Sequence, residues 1–190
     1  RPFLHYLQPL MEKHYGVSGA EWQADNLYRL LNRVRCSLIR IDADELTYAL
    51  HVVLRYELEK KILAAELTVA DLPAAWNEAM QLRLGVTPSS NAEGCLQDIH
   101  WAGGAFGYFP SYALGAVMAG QLYESLRSDY PALDDDVSAG RFAPLFQWLR
   151  DNVHGLASKV STPDLIKNAT GKALTAAPWL RYVESKYLAT

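Results

Sequence analysis

Asp44-Glu45-Leu46-Thr47-Tyr48-Ala49-Leu50-His51-Val52-Val53-Leu54-Arg55-Tyr56-Glu57-Leu58-Glu59-Lys60-Lys61-Ile62-Leu63, residues 44–63, opens the longest helix-length segment of the chain, which runs to about Ala65. Leu46, Leu50, Val53, Leu54, Leu58 and Leu63 recur at helical spacing, which predicts a helix with a broad apolar face. On its polar side Arg55 and Glu59 stand i,i+4, the spacing of a solvated pair worth roughly 0.2–0.5 kcal/mol.

Toward the N terminus, Ser18 stands three residues before Glu21 in capping-box spacing, and Trp22, Leu27, Leu30, Leu31 and Val34 form the stripe of a second helix. Before it, Phe3, Tyr6, Leu7, Leu10 and Met11 predict a helix over 2–15, stopped at Gly16. Toward the C terminus, Asp71-Leu72-Pro73 reads as a cap with proline in the first turn, opening a helix that passes Trp76 and Met80 and ends at Gly85. Residues 86–109, rich in Gly, Ser, Asn and Pro with aromatics among them, form a long connection of the kind that carries function in compact domains. Further helices are predicted at 110–128, 142–153, 162–169 and 178–188, with Thr162-Pro163 and Pro178-Trp179 as starts. Only Cys36–Ile41 has any strand character. The fold class is therefore all-α, multi-helix, with at most a short strand near 36–41, and 1–190 reads as one helical unit.

Charge and composition exclude several functions. Lys plus Arg (18) nearly balance Asp plus Glu (21), so no basic footprint for nucleic acid exists. No apolar run approaches the ~20 residues of a membrane span. Two cysteines, Cys36 and Cys95, cannot build a disulfide framework, are expected to be buried, and fit a reducing, cytoplasmic setting. The five histidines, at 5, 14, 51, 100 and 154, form no close metal-ligand pair. The chain starts at Arg1-Pro2-Phe3 in mid-pattern, and is expected to be a processed or excised piece.

Two stretches place costly polar side chains among apolar ones. In Ile39-Arg40-Ile41-Asp42-Ala43-Asp44, Arg40 reads either as a buried ion pair with Asp42 or Asp44, or as a guanidinium held ready for a carboxylate ligand. In Gly94-Cys95-Leu96-Gln97-Asp98-Ile99-His100-Trp101, followed by Gly107-Tyr108-Phe109-Pro110-Ser111-Tyr112, one histidine and two tyrosines lie in a glycine-punctuated approach to a helix. If that helix begins by Tyr108, the hydroxyls of Tyr108 and Tyr112 project from one face as neutral donors.

These two stretches resemble the Ile/Val-Arg-x-x-Ala-Asp and Gly-x-x-Gln-Asp-x-His-Trp signatures of the carboxypeptidase Taq family, and match both at every specified position. The likeness extends from about Tyr28 to Tyr187 and takes in Ala43–Tyr48, Leu72-Pro73, Trp76-Asn77, Gly107–Tyr112 and Ala169-Thr170-Gly171. It implies a helical zinc peptidase that removes single residues from peptide C termini. In that chemistry zinc polarises the scissile carbonyl and activates water while a glutamate takes the proton.

By the same resemblance Arg40 binds the substrate carboxylate. His100, Tyr108 and Tyr112 serve the oxyanion or the P1 backbone, and Gln97 and Asp98 orient these groups or the substrate. The family's His-Glu-x-x-His and its later third-ligand motif are absent from the chain. The expectation is thus the C-terminal portion of a larger catalytic domain, holding no metal and inactive alone. Its expected partners are a peptide with a free C terminus, the missing N-terminal part of the same protein and a second copy in a homodimer. A non-catalytic peptide-binding module and a dimerisation module stay open as alternatives.

Overall fold

A computed structural model describes residues 1–156 and 158–188. Among them every regular element is helical: α1 (Pro2–Tyr15), α2 (Ala24–Leu31), α3 (Glu45–Leu63), α4 (Leu72–Leu84), α5 (Pro110–Asp129), α6 (Leu133–Ser138), α7 (Ala143–Leu149), α8 (Thr162–Thr170) and α9 (Ala177–Tyr187). Single 3₁₀ turns occupy Ala20–Trp22 and Arg40–Asp42, and a π-turn at Arg150–His154 continues α7. No described helix is long and apolar enough to cross a membrane.

The short strand that the sequence allowed at most near 36–41 does not form, and the all-α class stands. That segment is irregular because side chains take its backbone donors: Arg35 N–H donates to Asp44 Oδ2 at 2.8 Å and Arg40 N–H to Gln97 Oε1; it ends in the 3₁₀ turn, closed by Ala43 N–H on Arg40 C=O at 3.1 Å. Cys36 is consequently exposed rather than buried, whereas Cys95 is buried. The chain divides into two compact units, Asn32–Gly115 and a second made of 1–31 with 116–190.

In the first unit α3 packs on α4 around Leu54, Leu58, Leu72, Trp76, Met80, Leu84 and Cys95. Each such side chain contributes roughly 1.5–3 kcal/mol by leaving water. Asp44 caps α3, with Oδ1 accepting from Leu46 and Thr47 N–H at 3.0 and 2.9 Å. Gly85, left-handed at φ 67°, ends α4 as expected. The face that α3 buries differs from the one its leucines predict. Thr47, His51, Arg55 and Glu59 are buried, while Leu50, Val53 and Leu63 are exposed. Arg55 is 0% exposed and Glu59 3%, so the pair expected in solvent lies inside, because partners from the 94–109 connection satisfy both.

In the second unit α1 packs against α2 and α6, with Leu4, Ala24 and Leu27 at its centre. Ser18 does not cap α2. The helix begins at Ala24, whose N–H donates to Gln8 Oε1 of α1 at 2.9 Å, and Leu30 and Leu31 remain exposed. Buried Gln121 of α5 holds the 170–175 segment: its Nε2 donates to Thr170 Oγ1 (2.9 Å) and Ala173 C=O (3.1 Å), and its Oε1 accepts from Thr175 N–H.

One residue before it, Gly120 lets α5 meet α9 backbone to backbone. A Cβ there would lie 2.8 Å from both Cα and Cβ of Trp179. Alanine ordinarily stabilises a helix by about 1 kcal/mol relative to glycine. Gly120→Ala is nevertheless expected to destabilise by ~1–3 kcal/mol, since backbone rather than a flexible tip must move. A urea midpoint that rises in the variant would contradict this contact.

Candidate active site

Arg40 stands at the start of the 3₁₀ turn that leads into α3, and the Gln97-Asp98 stretch of the long connection folds against it. Its backbone N–H donates to Gln97 Oε1 at 2.9 Å; its Nε and Nη2 both reach Asp98 Oδ1, at 3.0 and 2.7 Å, and Nη1 donates to Tyr48 Oη at 3.0 Å. The rings of Tyr48, Phe109 and Tyr112 surround the guanidinium carbon at 5.8, 5.7 and 5.0 Å. The carboxylate partner is therefore neither Asp42, which is exposed, nor Asp44, which is engaged in capping.

Asp98 also serves a second arginine. Arg55 Nε donates to Asp98 Oδ2 at 2.6 Å, Nη2 to Gln97 Oε1 at 2.8 Å and Nη1 to the His51 carbonyl at 2.8 Å. Gln97 in turn donates to the carbonyls of Leu38 and Glu93 at 3.0 and 2.8 Å, which fixes its amide orientation. Burial alone would raise the Asp98 carboxyl, but hydrogen bonds from Arg40 and the charge of Arg55 hold it below the usual carboxylate range. Burial lowers Arg55 to about 10 against the pull of Asp98, so it stays cationic at neutral pH.

His100, Tyr108 and Tyr112 come together beside this pair. His100 Nε2 lies 3.1 Å from Tyr112 Oη, its ring is 5.7 Å from that of Tyr108, and its Nδ1 is 3.8 Å from Asp98 Oδ1. The two tyrosine rings meet edge-on at 5.3 Å. Tyr108 itself precedes α5, which starts at Pro110, so only Tyr112 projects from the helix; a turn closed by Ser111 N–H on Tyr108 C=O brings Tyr108 alongside. Tyr108 is 51% exposed, and Tyr112 is half-buried. The cluster thus joins six expected residues: Arg40, Gln97, Asp98, His100, Tyr108 and Tyr112.

Tyr48, His51, Arg55 and Glu59 were missed. The last three had a signal, since with Thr47 they are polar side chains at 47, 51, 55 and 59, one every fourth residue on a helix whose remaining surface is largely apolar; Tyr48, one position off that stripe, had none.

His51 is fully buried. Burial, then the positive charges of Arg55 and Arg40, lower its imidazole from 6.5 to about 4. The unfolded chain therefore binds this proton first. Stability is complete above pH 6.5 and falls between pH 6.5 and 4, by up to roughly 3 kcal/mol at the lower end. The urea midpoint should decline over that window, and His51→Gln should remove the decline. An equal decline in the variant would assign the acid sensitivity elsewhere.

Among the described residues no three His, Cys, Asp or Glu side chains converge to hold a metal ion. The polar groups of the cluster are two arginines on one carboxylate, with an imidazole and two phenols beside them.

The family model of the Carboxypeptidase Taq (M32) metallopeptidase matches residues 1–187. Carboxypeptidase 1 of Bacillus subtilis is 44% identical over 186 residues, covering 96% of this chain and 37% of that protein. Thermostable carboxypeptidase 1 of Pyrococcus furiosus is 35% identical over 188 residues, covering 99% and 38%. Among solved structures, Trypanosoma cruzi metallocarboxypeptidase 1 superposes with a TM-score of 0.94 at 36% identity, covering 99% of this chain and 39% of that one. The chain thus spans less than two-fifths of the length of these relatives. With its helices superposing on theirs and the family model running through both site stretches, this chain belongs to the Carboxypeptidase Taq (M32) metallopeptidase family.

Proposed function

We propose that this chain forms the substrate-carboxylate side of a metallocarboxypeptidase that releases single residues from peptide C termini. The observation that carries the reading is that two buried arginines, Arg40 and Arg55, share the single carboxylate of Asp98. That shared carboxylate leaves one cationic charge in excess at its own site. Three of the five N–H groups of Arg40 are taken by Asp98 and Tyr48, so the guanidinium is oriented and retains donors for a second carboxylate.

His100 and Tyr112, adjacent to that guanidinium, then supply neutral or cationic donors to the oxygen that becomes negative as the scissile carbonyl turns tetrahedral. Tyr108, more exposed, faces the substrate backbone. Gln97 and Asp98 orient the arginines and do not touch the substrate. The metal, zinc by family resemblance, has no group of three metal-ligating side chains among the described residues. Its ligands would then come from the remainder of the protein. The test is a peptide with a free C terminus against its C-terminal amide, each turned over by the complete enzyme as wild type and as Arg40→Met. Wild type favours the acid, and the variant does not.

A further inference from the structure

Glu59 lies outside both signature stretches, and at 3% exposure it is among the most buried charged side chains of the chain. Its Oε2 accepts the Trp101 indole N–H at 2.7 Å, and its Oε1 accepts the backbone N–H of Gly107. Trp101 follows His100, and Gly107 precedes Tyr108. One carboxylate on α3 therefore grips the connection at two points, immediately after the histidine and immediately before the first tyrosine.

The intervening loop is wound by short-range bonds, Gly103 N–H to Ile99 C=O (2.9 Å), Gly104 N–H to Trp101 C=O (3.0 Å) and Ala105 N–H to His100 C=O (2.8 Å). Gly107 adopts φ 78°, the left-handed region open to glycine, and in that conformation its N–H meets Glu59. The Trp101 ring is pinned edge-on against Trp76 and Phe109, with centroids 6.3 and 5.8 Å apart.

We infer that Glu59 is a positioning residue: a two-ended clamp that sets His100 against Tyr108 and Tyr112 without touching substrate. The role rests on the oxyanion reading of those three residues. A carboxylate is required because both partners are N–H donors, and only a group with two acceptor oxygens satisfies both. Glutamine has the same size but offers one acceptor, and its NH₂ would confront a second donor. Misplacing reactive groups by about an ångström from a distance lowers turnover by up to ~10²-fold.

The experiment uses the complete enzyme with Glu59→Gln, steady-state kinetics on a free-acid peptide, and amide hydrogen exchange. The expected result is a kcat lower by ~10- to 100-fold with KM within about threefold. Exchange of the Gly107 amide should quicken at least ~10-fold while α8 and the N-terminal half of α3 stay protected. Preference for the free acid over the amide should persist, which separates the clamp from the carboxylate role of Arg40.

If Glu59→Gln does not fold, Trp101→Phe removes one donor and keeps both the ring and the carboxylate; kcat should then fall ~3- to 10-fold at constant KM. Unchanged kcat in the folded variant overturns the clamp, as does exchange that rises equally throughout α3 and α4. Should the free-acid preference survive Arg40→Met, the carboxylate reading fails, and the Gly107 exchange rate still decides the clamp.

Discussion

Arg40→Met in the complete enzyme is expected to erase its discrimination between a peptide acid and the corresponding amide. An exopeptidase must recognise a free terminal carboxylate, and a desolvated, oriented guanidinium provides both the charge and the planar pair of donors. Arg40 is held on one side by Asp98 and Tyr48 and stacked among three aromatic rings. Removing one member of such a buried charge pair costs about 2–5 kcal/mol, or roughly 30- to several-thousand-fold in kcat/KM for the acid. Methionine keeps much of the apolar stem but leaves Asp98 with Arg55 as its remaining arginine. Folding of the variant must therefore be checked by its urea midpoint beside the kinetics. Lysine would restore charge without the fork and should recover little. A folded Arg40→Met that keeps the full preference would return Arg40 to a structural role, with another cation as the carboxylate receptor.

Comparable losses are expected from the donors next to it. His100→Ala and Tyr112→Phe should each lower turnover by ~10²- to 10³-fold while the fold is retained. Because His100 Nε2 and Tyr112 Oη stand 3.1 Å apart, each fixes the other, and the double variant should lose little more than the worse single one. Tyr108→Phe, at a more exposed position, should cost less. If both single variants turn over like wild type, the His100–Tyr112 contact belongs to packing of the connection against α5.

The reach of the sequence can be judged residue by residue. Helices with strong punctuation were legible to within a residue or two: Gly16 after α1, Pro73 and Gly85 at the two ends of α4, and Thr162-Pro163 at the start of α8. The 3.6 period and local capping chemistry are properties of neighbouring residues, so the chain carries them in plain order. Arg40, Gln97, Asp98 and His100 were legible as a group because two short motifs carry them, and Tyr108 and Tyr112 because the Gly107–Tyr112 stretch follows the second motif closely.

What escaped was long-range pairing. Arg55 meets Asp98 across 43 positions, and Glu59 meets Trp101 across 42. Read locally, an arginine and a glutamate at i,i+4 are a surface pair, and only a partner far along the chain turns them inward. The same limit explains Arg40, whose nearest acidic neighbours in sequence, Asp42 and Asp44, are not its partners. Leu50, Val53 and Leu63 were assigned to the core by the converse error, because an apolar side chain gives no sign of which of two available faces is covered.

The stripe of Thr47, His51, Arg55 and Glu59 along α3 has a consequence for how the fold is specified. Apolar helix faces are forgiving, since leucine against leucine packs tolerably in more than one register. Here a slip of a single position would turn the stripe by 100°, carry Arg55 off Asp98 and Glu59 off Trp101, and strand buried charges at a cost of several kcal/mol. The helix has one rotational setting in which its inward charges are matched, and the motifs at 40 and 94–101 supply the lock into which it is keyed.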